Sequence, residues 1–344
     1  MSPSMDLVLN PPAERDIPAQ RQEAARRLLE DVVARSARTR RPMPRGPRPG
    51  WRPRPRRTWR AVALAAASTA AAAVLVVSDL GGTGDEVVHA ATPPMLDGAL
   101  GQGEPAEPVL RRLADAAAGS GGQAADATVR TENWELAVSV AGEGAEQRVT
   151  TAVVPTLRER TRNDDGSIHL REVRGEPQFP GEAYRRAWDE AGRPDPSGTV
   201  LLDRTVPAGR IESQYPADLA TAPGPLRAQL LSAAPEPTDA TTALFRAVRD
   251  VHAERPVAPA TRGAELSVLA GQGGVTYLGE TTDRADREAV AIAADGTDTG
   301  LARRHVLLLD PDDGRVLGYE EILTGDTGAL DVDAPAVVAY TVFR

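Results

Sequence analysis

The chain has 344 residues, a net charge of −9, no Cys, and 40 basic residues that are all Arg. Without Cys there is no disulfide, no thiol nucleophile, no Cys-bearing zinc site and no lipid-modified Cys anchor. The charge is split: residues 1–60 hold 15 Arg against six acids, whereas residues 61–344 hold 25 Arg against 43 acids. A nucleic-acid reader places its positive charge on the folded part, so no nucleic-acid partner is expected.

Met1–Pro18 shows no period and reads as disordered. Ala19–Ala37 reads as one short helix, because Ala25, Leu28, Leu29, Val32 and Val33 make an apolar stripe at helical spacing. A lone helix of that length is marginal in water, so the stripe implies a partner, a membrane surface or weak order. Arg38–Arg60 alternates Arg and Pro and reads as an extended arm. Residues 1–60 are thus an Arg/Pro-rich arm with one helix.

Ala61–Ser78 is 18 residues without a charge. As a helix it would be ~27 Å long, close to the ~30 Å hydrocarbon core of a bilayer. Residues 61–80 are therefore read as a single transmembrane helix whose partner is the lipid bilayer. The span is rich in Ala and inserts weakly, but eleven Arg and no acid lie between Arg35 and Arg60. That bias places the N-terminus in the cytoplasm and the C-terminal part outside, an extracytoplasmic domain on the plasma membrane. Arg52, Arg54, Arg56, Arg57 and Arg60 fall where anionic headgroups attract them, at ~1 kcal/mol each. Two competing readings are a buried Ala-rich helix and a cleaved leader ending at Val88-His89-Ala90. Residues 81–106 read as a Gly, Ala and Pro linker.

Residues 107–344 carry the period of a folded domain. Glu107–Ala118 begins a helix with Pro108 in its first turn. The pattern then alternates: Thr128–Ala141, Gln147–Val154, Thr156–Arg162 and Ser167–Arg174 read as strands joined by tight turns. Glu182–Ala191 and Pro225–Ala233 read as helices, and Thr199–Thr205 and Arg210–Tyr215 as short strands. Thr238–Ala253, capped by Thr238, and Pro259–Ala270 read as helices. Val275–Glu280, Glu288–Ala294, His305–Leu309, Arg315–Thr324 and Ala336–Phe343 complete the strands. The expected fold is α+β: an antiparallel sheet from two blocks of strands, with helices between the blocks.

The run of LRRLADAAA (110–118), RTENWELAV (130–138), PTLRERT (155–161), LFRAVRDV (244–251) and LLLDPDDGRVLGYEEILT (307–324), after an Arg arm and an Ala-rich span, resembles an uncharacterised family of actinobacterial single-pass membrane proteins. Members are often encoded beside extracytoplasmic-function sigma factors. The resemblance covers nearly the whole chain and implies topology and a signalling context rather than a reaction. The order of elements also looks like the half-barrel sheet, with helices on one side, of the LolA and RseB lipid- or lipoprotein-binding domains. A zinc-binding anti-sigma module requires Cys, so a direct anti-sigma role is not expected.

No motif specifies a reaction. His89 and His252 are expected to face solvent, and His169 and His305 lie in strands. Asp164-Asp165-Gly166 and Asp310-Pro311-Asp312-Asp313-Gly314 fit tight turns better than calcium loops. Glu320 and Glu321 are expected on opposite faces of a strand, unsuited to a shared acid/base site. No cofactor or metal is expected. Trp134, Tyr277, Tyr319 and Tyr340 are the candidates to line an apolar pocket for a lipid, lipoprotein or peptide. The expected function is thus an anchored extracytoplasmic binding or sensing protein. The alternatives are an envelope hydrolase using a carboxylate pair such as Asp283 and Asp286, or a scaffold without a ligand. On intact protoplasts, added protease is expected to remove the C-terminal domain and spare a tag at Met1. A protected C-terminus would exclude the span.

Overall fold

The computed structural model describes residues 90–120, 127–136, 152–190, 192–193, 196–211, 213–234, 239–298, 300–325, 327 and 332–344. The arm and its helix, the apolar segment 61–80, and the strand begun at Gln147 with its preceding turn lie outside these, apart from the last residues of that strand. Among the described residues no helix is long and apolar enough to cross a membrane.

The fold is α+β. Among the described residues ten antiparallel strands form one sheet in the order β1-β6-β7-β8-β9-β10-β2-β3-β4-β5. The first block is β2 (Thr128–Glu135), β3 (Thr156–Arg162), β4 (Ile168–Arg174) and β5 (Val200–Val206). The second is β6 (Val275–Thr282), β7 (Glu288–Asp298), β8 (Leu301–Leu309), β9 (Val316–Leu323) and β10 (Ala336–Phe343), with the two-residue β1 (Glu104–Pro105) at its edge. The C-terminal strand joins the blocks: β10 pairs with β9 on one side and β2 on the other.

Five helices accompany the sheet: α1 (Glu107–Gly119), α2 (Glu182–Glu190), α3 (Pro223–Leu231), α4 (Ala240–Glu254) and α5 (Pro259–Ala270). Helix α4 buries Leu244, Phe245, Val248 and Val251, which meet Leu110 and Leu113 of α1, Leu226 of α3 and Leu269 of α5 in one core. Val290, Ile292, Leu307, Leu309, Tyr319 and Phe343 close that core from the sheet. Each such side chain gains about 1.5–3 kcal/mol on burial, so this layer is the main source of stability. Because side chains alternate along a strand, the residues between them form a second, outer face. There Ala291, Ala293, Val306, Leu308 and Leu317 pack with Ala99.

Four expectations are corrected. Residues 90–106, read as linker, are packed onto the domain, with Ala91 and Ala106 fully buried. The cap of α4 is Asp239, whose side chain accepts from Thr242 N at 2.9 Å, rather than Thr238. Arg210–Tyr215 forms no strand among its described residues, and Ser213 Oγ instead donates to Tyr215 O at 2.8 Å. Not every helix is on one side either: α2 sends Tyr184 to a cluster on the outer face.

Helices α1 and α5 meet at Gly263, where an added Cβ would stand 2.9 Å from Ala114 O and 3.4 Å from Ala118 Cβ. Ala is favoured over Gly in a helix by about 1 kcal/mol, but overpacking against a backbone atom costs about 1–3 kcal/mol. Gly263→Ala is therefore expected to lower the thermal unfolding midpoint. Gly224→Ala in α3, where nothing lies within 4 Å, is expected to hold or raise it. A Gly263→Ala midpoint above wild type would mean that α1 and α5 do not approach this closely.

Candidate functional site

The four aromatic residues expected to line one pocket fall on two faces of the sheet. Trp134 of β2 and Tyr340 of β10 are cross-strand partners, stacked with centroids 6.2 Å apart. They form a small outer-face cluster with Ala91, Val153 and Val342. Tyr319 is fully buried in the helix-side core, and Tyr277 packs partly buried against that same core. The register explains the split, since Tyr319 is opposite Thr341 while Tyr340 is opposite Glu320. The sheet separates the pairs, and three of the four rings are filled-in core.

On the helix side the Tyr319 hydroxyl donates to Glu321 Oε1 at 2.8 Å and lies 2.7 Å from His305 Nδ1. Arg303 donates to Glu321 Oε2 at 2.8 Å. Arg249 of α4 comes within 3.6 Å of Glu321 and stacks its guanidinium 4.9 Å from the Tyr319 ring centroid. A His–Tyr–Glu chain has the makings of a proton relay, but His305 and Tyr319 are fully buried. In this arrangement it ties α4 to β8 and β9. Burial pushes the Glu321 carboxyl up, yet His305, Arg249, the Tyr319 hydrogen bond and Arg303 together hold it below the ordinary carboxylate range.

Its neighbour Glu320 points to the outer face, as the alternation requires. It accepts from Arg284 at 2.7 Å, and Arg284 in turn stacks 4.7 Å from the Tyr340 ring centroid. Here burial wins over Arg284, and the carboxyl titrates above the ordinary range. Asp283, half of the proposed hydrolytic pair, braces the β6–β7 turn. It accepts from the backbone N–H groups of Ala285 and Arg287 at 2.8 and 2.9 Å and from the Arg287 side chain. Asp286 occupies the left-handed position of that turn with φ of 60°. The pair is a turn, and Asp283 has no lone pair aimed at a substrate.

The other acidic clusters are also turns. Asp165 accepts from Ser167 N at 2.9 Å, and Asp310 accepts from Asp312 N at 3.0 Å and from the Arg315 side chain at 2.9 Å. Gly314 closes the second at φ of 65°, where a Cβ would meet Leu266 at 2.6 Å. Among the described residues no group of acids and His could hold a metal. His252 does not face solvent: its Nε2 is 2.9 Å from Glu265 and its ring sits edge-on to Phe343.

The open surface is elsewhere. The first block extends beyond β10 and its outer face runs in cross-strand rows. Leu157, Val173 and Val200 are register partners on β3, β4 and β5 and make an apolar row. Beside it Arg130, Glu159, Arg171 and Asp203 are register partners on four successive strands, charges alternating in sign. Arg130 donates to Glu159 at 3.0 Å, and Arg171 lies 3.6 Å from Asp203. Leu157 is 39% and Val200 52% exposed, with Leu201 beside them at 39%. A cleft of about 530 Å³ opens over the β2, β3 and β4 members of these rows, flanked by Pro155, Glu176 and Gln178. Among the described residues strand β5 is the sheet edge, and most of its side chains are exposed. None of the residues named here was legible as a site, since the rows exist only once the register is known.

Comparison with protein families, with curated proteins and with solved structures finds no match to this chain.

The opposite shifts of Glu320 and Glu321 have a measurable consequence. A depressed folded-state pKa contributes stability that is present above the unfolded value, near 4.5, and is lost as pH falls through the folded one. Glu321→Gln is expected to lower the urea midpoint at neutral pH and to flatten the acid limb of the midpoint-against-pH curve below about pH 4.5. An acid limb as steep as that of wild type would show that Glu321 is not what acid unfolding protonates.

Proposed function

We propose that this chain is a single-pass, membrane-anchored binding protein whose extracytoplasmic domain holds an extended peptide segment of a partner. The observation that carries the reading is β5, the last strand of the sheet among the described residues, which adjoins an exposed apolar row and a ladder of alternating charge. An exposed edge strand is a template for another strand, and natural proteins cover or charge such edges unless they use them. A segment added beside β5 extends both rows. It would place an apolar side chain next to Val200 and a basic one next to Asp203.

The anchor and topology rest on the sequence: the uncharged stretch 61–80 and the Arg-rich flank, with Arg52, Arg54, Arg56, Arg57 and Arg60 toward anionic headgroups. A half-barrel form of the LolA and RseB kind is supported by four of the five described helices packed on one face and by four register shifts that bend the sheet. The ligand class differs from theirs. Trp134, Tyr319 and Tyr340 are consumed in packing, which disfavours an acyl chain between helices and sheet and favours a peptide on the outer face.

Amide hydrogen exchange on the detergent-solubilised full chain tests this, with a (Val-Ser-Arg-Ser)₂ peptide as probe, whose Val and Arg side chains share one face of a strand. Saturating peptide is expected to slow exchange at residues 200–206. Val200→Glu, at an exposed position that leaves the fold intact, is expected to weaken binding about tenfold, the loss of most of one apolar side-chain contact. Protection confined to α4 and the facing strands would place the ligand between helices and sheet and overturn the reading.

A further inference from the structure

A second cleft, of about 230 Å³, opens where the end of α4 meets the starts of β2 and β9 and the end of β10. Six arginines line it: Arg130, Arg255, Arg262, Arg287, Arg315 and Arg344. No Asp or Glu lines it. The carboxylates that neutralise these groups stand outside the cleft. Arg287 is bound to Asp283, Arg315 to Asp310 and Asp313, Arg344 to Glu132, Arg130 to Glu159, Arg255 to Glu254 and, at 3.8 Å, Arg262 to Asp313. A concave surface with one sign of charge on its walls and opposite charges behind them focuses a positive potential inward.

Arg255 is held in the cleft wall: its terminal nitrogens donate to Pro216 O at 2.8 Å, Ala217 O at 2.9 Å and Ser213 Oγ at 2.9 Å, and Glu254 stands 3.3 Å away. It is a fixed cation that contributes potential to the cleft rather than a free hydrogen bond. The neighbouring Arg160 feels the same crowding, being held below its ordinary range first by burial and then by Arg162, Arg158 and Arg255, against Glu254. Val129, Val257 and Phe343 supply an apolar wall. The volume accommodates one tetrahedral anion and a few carbons.

We propose that this cleft binds a phosphomonoester, its dianionic head among the guanidinium groups and its organic part against Val257 and Phe343. Several guanidinium groups converging from different elements suit an anion with three acceptor oxygens better than a planar carboxylate, which one Arg fork satisfies. A soluble metabolite and a lipid headgroup both supply a phosphomonoester, and the chemistry of recognition is the same.

Calorimetric titration of the full chain in neutral detergent separates these sources, with glycerol 1-phosphate in one arm and dihexanoyl phosphatidic acid in the other. A saturable one-to-one site is expected with at least one of them. Binding of both marks the headgroup as sufficient, and binding of the lipid alone marks a membrane ligand. Arg315→Gln, at a side chain 60% exposed, is expected to weaken that site about tenfold. Val257→Glu, which removes no charge and adds an acid to the wall, is expected to abolish it. Arg315→Gln should keep the wild-type unfolding midpoint, Val257→Glu, at a side chain partly packed on the core, is titrated at a temperature below its own midpoint, and the Arg-rich arm contributes equally to all three proteins. A wild-type chain with no saturable site for either probe overturns the proposal, as does binding that both variants retain at full strength.

Discussion

The sheet is one sheet only because its last strand is shared. Along β10, Val342 is opposite Gly318 of β9 and Glu132 of β2, and Tyr340 is opposite Glu320 and Trp134. Without β10 the block β2–β5 loses its strand connection to the large helix-side core, which is built from strands of the second block. The junction is reinforced by side chains. Tyr340 donates to Glu132 at 3.0 Å, Thr341 donates to Asn133 at 3.0 Å, and Arg344 closes onto Glu132. These contacts join residues about two hundred positions apart. Closing so long a loop comes before any gain from the pairing, so the block β2–β5 is expected to join the sheet last in folding.

Neighbouring glutamates show how the two faces differ. Glu321 is among Arg303, Arg249, His305 and a donating hydroxyl, and its charge is stabilised there. Glu320, one residue away through the sheet, has a single Arg, and burial prevails. The difference lies in the number of donors, not in depth, as both are buried. The helix face is thus tied by polar groups that prefer to stay closed, and the outer face of the first block is left as the accessible one.

Elements with their own punctuation were legible in the sequence. Pro259–Ala270 and Ala336–Phe343 coincide with the structure, because Pro259 and Gly271 bracket the helix and β-branched and aromatic residues fill the strand. Arg210–Tyr215 was not, because it alternates by chance and its hydrogen bonds go to Ser213 rather than to a neighbouring strand. Thr238 and Asp239 are both good caps, and one-residue choices of that kind are decided by packing. The site was hidden for a different reason. That the strands alternate was readable, but which aromatic shares a face with which depends on register, and a slip of one residue inverts the answer. The arginine cleft draws on residues from Val129 to Arg344, and no local spacing announces it.

The two candidate surfaces are not independent. Arg130 and Arg344 line both the cleft over the first block and the arginine cleft. Each is held by a carboxylate on the peptide side, Glu159 and Glu132 respectively. Glu132 is also the acceptor of Tyr340, at the junction that holds the first block in place. An anion in the arginine cleft would compete with these two carboxylates for the same guanidinium groups. Drawing Arg130 away from Glu159 would leave the charge ladder Arg130-Glu159-Arg171-Asp203 with an unbalanced acid in its middle, and so favour a basic peptide residue there. Coupling of this kind is reciprocal, so a basic peptide on the ladder would release Arg130 toward the anion to the same degree. Ion pairs this exposed are weak, contributing about 0–1 kcal/mol each. That is too little to switch the domain between states and enough to bias one site by the occupancy of the other.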